Sequence, residues 1–184
     1  MFLPIGQLAC MIGQKEARMP NTPTEKEKQD LPRDVAKFVK FVHAGAPGPY
    51  SYVVLLGINE FDSTKLLRSV RRGLSFRAFE RFQRNAGLSQ AQVSNLMQIA
   101  SRTLTRRREE GRFRPDESDR LLRAGRVFGR ALELFDGDTK AARRWLSNPQ
   151  PALGGAVPLE LAETEVGARE VEAVIGRIEH GVFS

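Results

Sequence analysis

The sequence predicts an all-α, mainly helical fold in which a helix-turn-helix bundle is followed by a small helical domain. Three observations carry this. Segment after segment places apolar residues at i, i+3, i+4 and i+7, the period of one helix face. These segments open on side chains that cap helices and close on glycine. One short apolar run, Tyr50 to Leu56, departs from the pattern. At 184 residues and 41% hydrophobic content, the chain holds one medium domain or two small ones, with enough apolar mass for a core.

Met1 to Gly13 is apolar but lacks a basic start and is interrupted by Pro4 and Gly6, so it does not read as a signal peptide. Gln14 to Pro32 mixes Lys, Glu, Pro and Asn without apolar period, which makes residues 1–32 a flexible leader and leaves Met11 and Met19 open as starts. Val35, Phe38, Val39 and Val42 mark a short amphipathic helix that ends at the Gly/Pro-rich stretch from Ala44 to Pro49. Tyr50 to Leu56 is apolar at every position but Ser51, without a period that assigns it; a strand and a buried helical turn are both open, and a strand is preferred. Ser63 to Arg72 returns to helix with Leu66, Leu67 and Val70 inward. Ser75 caps the next helix, whose Phe76, Phe79, Phe82 and Ala86 form one stripe. That regular spacing favours core over an exposed platform for stacking nucleic-acid bases.

Gly87 to Gly111 carries the most specific local pattern. Ser89 and Gln92 stand in the S-x-x-Q arrangement of a capping box, with Val93, Leu96 and Met97 on one face behind them. After Ile99 and Ala100, Ser101 is a second plausible cap of a helix in which Leu104 is the one inward apolar residue. Arg102, Thr103, Thr105, Arg106, Arg107 and Arg108 are left for the outside. This is a helix-turn-helix pattern with Gln98 at a turn position where glycine is common. The candidate DNA-binding residues are Ser101, Arg102, Thr103, Thr105, Arg106 and Arg107. Arginine pairs bidentately with guanine or neutralises phosphate, and hydroxyls reach phosphates or base edges. The competing reading is a solvated Arg-rich helix in an ordinary bundle.

Pro115 and Asp116 start a long helix lined by Leu121, Ala124, Phe128, Ala131, Leu132 and Phe135. Asp138 caps Thr139 to Ser147, where Ala141, Ala142, Trp145 and Leu146 face inward. Asn148 to Pro158 is a loop. Thr164 caps a last helix with Val171, Val174, Ile175 and Ile178 inward, Glu170, Glu172 and Glu179 outward, and Gly181 past its end.

The net charge is +7 and the pI about 10.1, which favours an anionic partner. Charge is unevenly placed: Ser75 to Arg126 has 12 Lys/Arg against 6 Asp/Glu, whereas Pro149 to Ser184 has 2 against 6. An acidic end is repelled by phosphate and is better used on a protein. The single cysteine, Cys10, supports no disulfide framework or multi-cysteine zinc site and fits a reducing cytoplasm. No run is long and apolar enough for a bilayer, so no membrane contact is expected. Catalysis is not expected either: His43, His180 and Cys10 form no nucleophile, base or ligand pattern, and no catalytic, cofactor or metal residues are assigned.

Several motifs stand in a joint order: GLS at Gly87, SRTLTRR at Ser101, ESDRLLR at Glu117, A-x-x-W-L at Ala142, LGGAVPLEL at Leu153, Thr164, Gly167, and RIEHGVFS at Arg177. Together they resemble the Xre-type antitoxins of RES/Xre toxin–antitoxin systems. The match covers roughly residues 63–184. The resemblance implies a helix-turn-helix (about 75–111) within an N-terminal helical region, 33–126, and a C-terminal toxin-binding domain, 127–184. It further implies a homodimer that binds the operator DNA of its own operon, and a RES-domain toxin, an NAD-consuming enzyme, as protein partner. The residues it singles out for toxin binding are Leu153, Gly154, Gly155, Arg177, His180 and Gly181. A stand-alone transcriptional repressor without a toxin is the alternative.

Overall fold

The computed structural model describes residues 32–45 and 48–181. The leader expected over residues 1–32 lies outside them apart from Pro32, as do Cys10 and Val182 to Ser184.

The described chain is helical. Helix α1 spans Arg33–Ala44 and is followed by a 3₁₀ segment, Ser51–Leu56. Helices α2 (Ser63–Arg72), α3 (Phe76–Ala86), α4 (Gln90–Leu96) and α5 (Ser101–Glu110) come next. The long α6 (Pro115–Leu134) leads to α7 (Thr139–Leu146), a 3₁₀ turn at Pro151–Leu153, the single-turn α8 (Pro158–Leu161) and α9 (Glu165–His180). Among the described residues there is no strand, only an isolated antiparallel bridge between Ser75 and Arg112. No described helix is long and apolar enough to cross a membrane.

Local chemistry sets most of the boundaries. Asp62 accepts from the Lys65 N–H, Asp138 from the Lys140 and Ala141 N–H groups, and Thr164 from the Gly167 N–H. Each satisfies donors that the first helical turn leaves open. Ser89 and Gln92 form the full capping box. Two expected caps differ. Ser75 stands at the N-cap of α3 but its side chain makes no capping bond, and α5 is entered from Ala100, which puts Ser101 inside the first turn.

The run Tyr50 to Leu56 is not a strand. Val53, Val54, Leu55 and Leu56 are all buried, because the segment is a plug between α1, α3 and α6. A strand there would have no neighbouring strand to satisfy its backbone, whereas tight i to i+3 bonds close that requirement within the segment. The buried Leu55 carbonyl accepts from the Asn85 side chain at 2.7 Å. Helix α6 tolerates the plug because it carries glycine where they meet: a Cβ on Gly125 would lie 2.5 Å from Leu56 Cδ1.

Helix α6 is the central strut, packed on α2, α3, α4, α7, α9 and the 3₁₀ plug. Phe76 stacks on Phe79 and on Phe113 with centroids 5.4 and 5.5 Å apart, Phe79 and Phe113 meet tilted at 5.9 Å, and Phe82 meets Phe128 edge-on. The phenylalanine stripe is core, as its spacing implied. Leu67 is the exception on α2: expected inward, it is 50% exposed, since α2 touches the body through Leu66 and a part-buried Val70.

On α9, Val171, Val174 and Ile175 are buried and Ile178 is part-buried, facing α6. The glutamates read as outward are redirected by that packing. Arg126 pairs with Glu165 at 3.0 Å and Glu172 at 2.8 Å, while Arg130 pairs with Glu133 and, at 2.6 Å, with Glu179. Much of the acidic end is therefore spent on α6. Only Glu170 keeps to its own helix, paired with Arg177.

A division of the chain at 126/127 falls inside α6, which continues unbroken from Pro115 to Leu134. Arg123 also spans the two halves, donating to the Leu96 carbonyl at the end of α4 and to the Ala162 and Glu163 carbonyls after α8.

Candidate functional site

The helix-turn-helix is α4, a turn at Met97 to Ala100, and α5. Val93, Leu96, Met97, Ile99 and Leu104 are buried and fix the angle between the two helices. Gln98 takes the left-handed turn position with φ 50°, a conformation that costs an L-residue on the order of 1–2 kcal/mol. The cost is offset by the surroundings: Ile99 N–H donates to Ser94 O at 2.9 Å, and Arg120 of α6 donates to Met97 O at 3.0 Å.

The ESDRLLR stretch is the frame for this unit. Glu117 binds α5, Ser118 Oγ accepts from Leu74 N–H, Arg120 holds the turn, Leu121 and Leu122 are core, and Arg123 caps α4.

On α5 the predicted residues separate into three groups. Ser101, Arg102, Thr105 and Arg106 are exposed and Thr103 is part-buried. Arg102 makes no ion pair or hydrogen bond among the described residues, and Arg106 has only a 3.8 Å approach to half-exposed Glu110, a kind of pair that holds little energy. Thr105 donates its hydroxyl to Ser101 O and retains acceptor capacity toward solvent.

Arg107 does not belong to this surface. It is 2% exposed, with Nε and Nη2 donating to the two Glu117 oxygens at 2.6 and 2.9 Å and Nη1 to Glu110 at 2.6 Å. The hydrogen bond to Glu117 dominates and drives the guanidinium further toward its charged form. A side chain so enclosed cannot also neutralise a phosphate; it clamps α5 to α6. The signal lay in its position three residues after Leu104, on the same inward face. Arg108 is also engaged, lying 5.1 Å from the Phe76 ring centroid and donating to Gln90.

The C-terminal candidates occupy two elements. Gln150, 6% exposed, organises the loop, donating from its side chain to Trp145 O at 2.8 Å and accepting at its carbonyl from Leu153 and Gly155 N–H. Nothing in the loop's Gly/Pro-rich composition singled this residue out. Gly154 and Gly155 are exposed, with φ 65° and 85° and no atom within 4 Å of an added Cβ. Leu153 is part-buried against the core. At the end of α9, Arg177 and His180 are exposed and Gly181 closes the helix in the left-handed conformation. The 3₁₀ turn packs against α9, but no hydrogen bond or ion pair among the described residues joins the loop candidates to Arg177 or His180.

Comparison with known proteins matches both halves. Residues 65–126 match the antitoxin Xre-like helix-turn-helix domain, and residues 130–181 match the antitoxin Xre/MbcA/ParS C-terminal toxin-binding domain. An Antitoxin Xre of Yersinia enterocolitica (serotype O:8 / biotype 1B) is 42% identical over 130 residues, covering 70% of this chain and 88% of the relative. An Antitoxin Xre of Photorhabdus laumondii is 34% identical over 116 residues, covering 62% and 78%. A protein named Prs ADP-ribosylating antitoxin, from a Sphingobium species, is 24% identical over 149 residues, covering 76% and 91%. With a helix-turn-helix domain, which implies DNA binding, joined to a toxin-binding domain, the chain belongs to the Xre antitoxin family of toxin–antitoxin systems.

Proposed function

We propose that the protein neutralises a RES-domain, NAD-consuming toxin through its C-terminal domain and, as a homodimer, represses its own operon through α5. The observation that carries the DNA half is the exposed face of α5, where Arg102 has no partner among the described residues and Arg106 is bound only loosely. One short helix makes few contacts, so a useful affinity calls for two copies reading two half-sites. Replacing Arg102 and Arg106 by Ala is expected to lower the slope of log affinity against log salt by about one for each lost phosphate contact, measured on promoter DNA of the operon. An unchanged slope removes these residues from the interface.

The toxin half rests on Gly154, Gly155, Arg177, His180 and Gly181 being exposed in one module, with Leu153 anchoring the loop from beneath. Arg177 reaches a toxin carboxylate only by releasing Glu170, an exposed pair that is cheaply exchanged. The double variant Arg177→Ala/His180→Ala is expected to lose growth protection on co-expression with the neighbouring gene product while keeping its thermal unfolding midpoint. Retained protection moves the contact elsewhere. A neighbouring product that is not toxic and forms no complex favours the stand-alone repressor.

A further inference from the structure

The charge division between a basic DNA-reading half and an acidic C-terminal half has an exception in α7. This helix lies in the stretch matched to the toxin-binding domain, yet its charged residues are all cations: Lys140, Arg143 and Arg144. They share one helix face by their i, i+3 and i+4 spacing, opposite the buried Ala142, Trp145 and Leu146.

That face forms a wall of an open cleft of about 450 Å³ whose other lining residues are Gly87, Gln92 and Ser147. Among the described residues no carboxylate lines it. Arg143 donates from Nη1 to the Gly87 carbonyl at 2.9 Å, which satisfies a donor but leaves the charge uncompensated. The Arg144 side chain is exposed and makes no hydrogen bond or ion pair among the described residues. The Ser147 hydroxyl is buried with no partner. Two adjacent arginines with no counter-charge among the described residues repel each other, so an anion supplied from outside would stabilise the arrangement.

The position of the cleft decides which anion. Gly87 and Gln92 belong to the approach to α4 and to its first turn. In helix-turn-helix docking the second helix enters the major groove while the first crosses the sugar–phosphate backbone. A cationic wall beside the first helix therefore stands next to the strand flanking the half-site.

We infer that Arg143 and Arg144 of α7 bind the phosphate backbone of operator DNA beside the half-site read by α5. The toxin-binding domain is then itself part of the DNA interface. Such contacts add affinity and register but no base specificity. They also place operator contact and the proposed toxin contact on one module. The inference rests on the DNA-reading role of α5.

The test titrates the full-length protein against duplex promoter DNA of its own operon, and against an unrelated duplex of equal length, by fluorescence anisotropy over a series of KCl concentrations. Arg144→Ala and Arg143→Gln are each expected to lower the log–log slope by about one, with affinity falling roughly fivefold per contact near 0.15 M salt. Arg144→Glu should lower it further, and both duplexes should respond alike. Arg144→Ala removes no contact within the described protein, so its unfolding midpoint should match wild type.

If the slope is unchanged in the α7 variants but falls in Arg102→Ala/Arg106→Ala, the inference is wrong and the reading of α5 stands. If neither set changes it, both fail. Loss of toxin co-purification by the α7 variants with an unchanged DNA slope makes the wall a protein contact and overturns the inference.

Discussion

Replacing Glu117 by Ala is expected to destabilise the protein by about 3–5 kcal/mol, the cost of leaving one member of a buried ion pair without its counter-charge. Glu117 is 5% exposed, and its carboxylate accepts from Arg107 twice and from the Arg114 N–H at 2.8 Å. Without it the Arg107 guanidinium keeps only half-exposed Glu110. Equilibrium unfolding in urea measures the loss. DNA affinity should fall too, through displacement of α5, but with the salt slope of wild type, since Arg107 neutralises no phosphate. The double variant Arg107→Met/Glu117→Leu should recover most of the stability, because an apolar pair of similar volume removes both desolvation penalties. A loss under about 1 kcal/mol in Glu117→Ala would mean that the pair behaves as a surface bridge.

The same pair gives an acid limb. Burial opposes ionisation of Glu117, but the hydrogen bonds from Arg107 and Arg114 and the nearby positive charge outweigh it and hold the carboxyl below its ordinary value. A depressed folded-state pKa gives stability that is fully present above the unfolded value, about 4.3, and is lost as pH falls through the folded value. Wild type should therefore lose stability below about pH 4.3 more steeply than the double variant.

Gly167→Ala is expected to disrupt the α8–α9 corner. A Cβ there would lie 2.0 Å from the Leu161 carbonyl oxygen and 2.7 Å from its carbon. The obstacle is backbone, and Thr164 N–H also donates to that carbonyl, so relief requires moving α8 or the first turn of α9. Overpacking of this kind costs roughly 1–3 kcal/mol or more, and a clash with backbone belongs at the upper end. Gly176→Ala on the same helix is the control: nothing stands within 4 Å of its Cβ, and the helix should gain about 0.8–1 kcal/mol. Thermal unfolding of the two variants should move in opposite directions. Equal midpoints would show that the corner rearranges freely. Toxin binding should weaken in Gly167→Ala and persist in Gly176→Ala.

The sequence was most legible where the interaction is local. Capping by Ser89 with Gln92, by Asp138 and by Thr164 involves partners two or three residues away, and each is present. The core stripes of α3, α6 and α9 are legible because helical period alone decides which side chains share a face. Gln98 was legible as the turn residue for the same reason, and the turn forms there even though the residue is not glycine.

Apart from the caps expected at Ser75 and Ser101, the failures involve partners distant in sequence. The plug at Ser51–Leu56 is buried by three separate helices, which removes the alternation that would have marked either secondary structure. Glu172 and Glu179 look solvated on an isolated α9 and become ion-pair partners only when α6 presents Arg126 and Arg130. Arg107 sits in a run of arginines that composition assigns to one surface, but Glu117, ten residues on, withdraws it from solvent.

By itself, then, the sequence determined the helical class, the Ser89 cap and the turn of the helix-turn-helix, and the joint motif order that identifies the family, because these depend on spacing along the chain. Only the tertiary structure decided which charges are free. A charge's availability depends on what packs against it: Arg102 and Arg144 have no partner among the described residues, Arg107 is spent on the frame, and Glu165, Glu172 and Glu179 of the acidic end are engaged by α6.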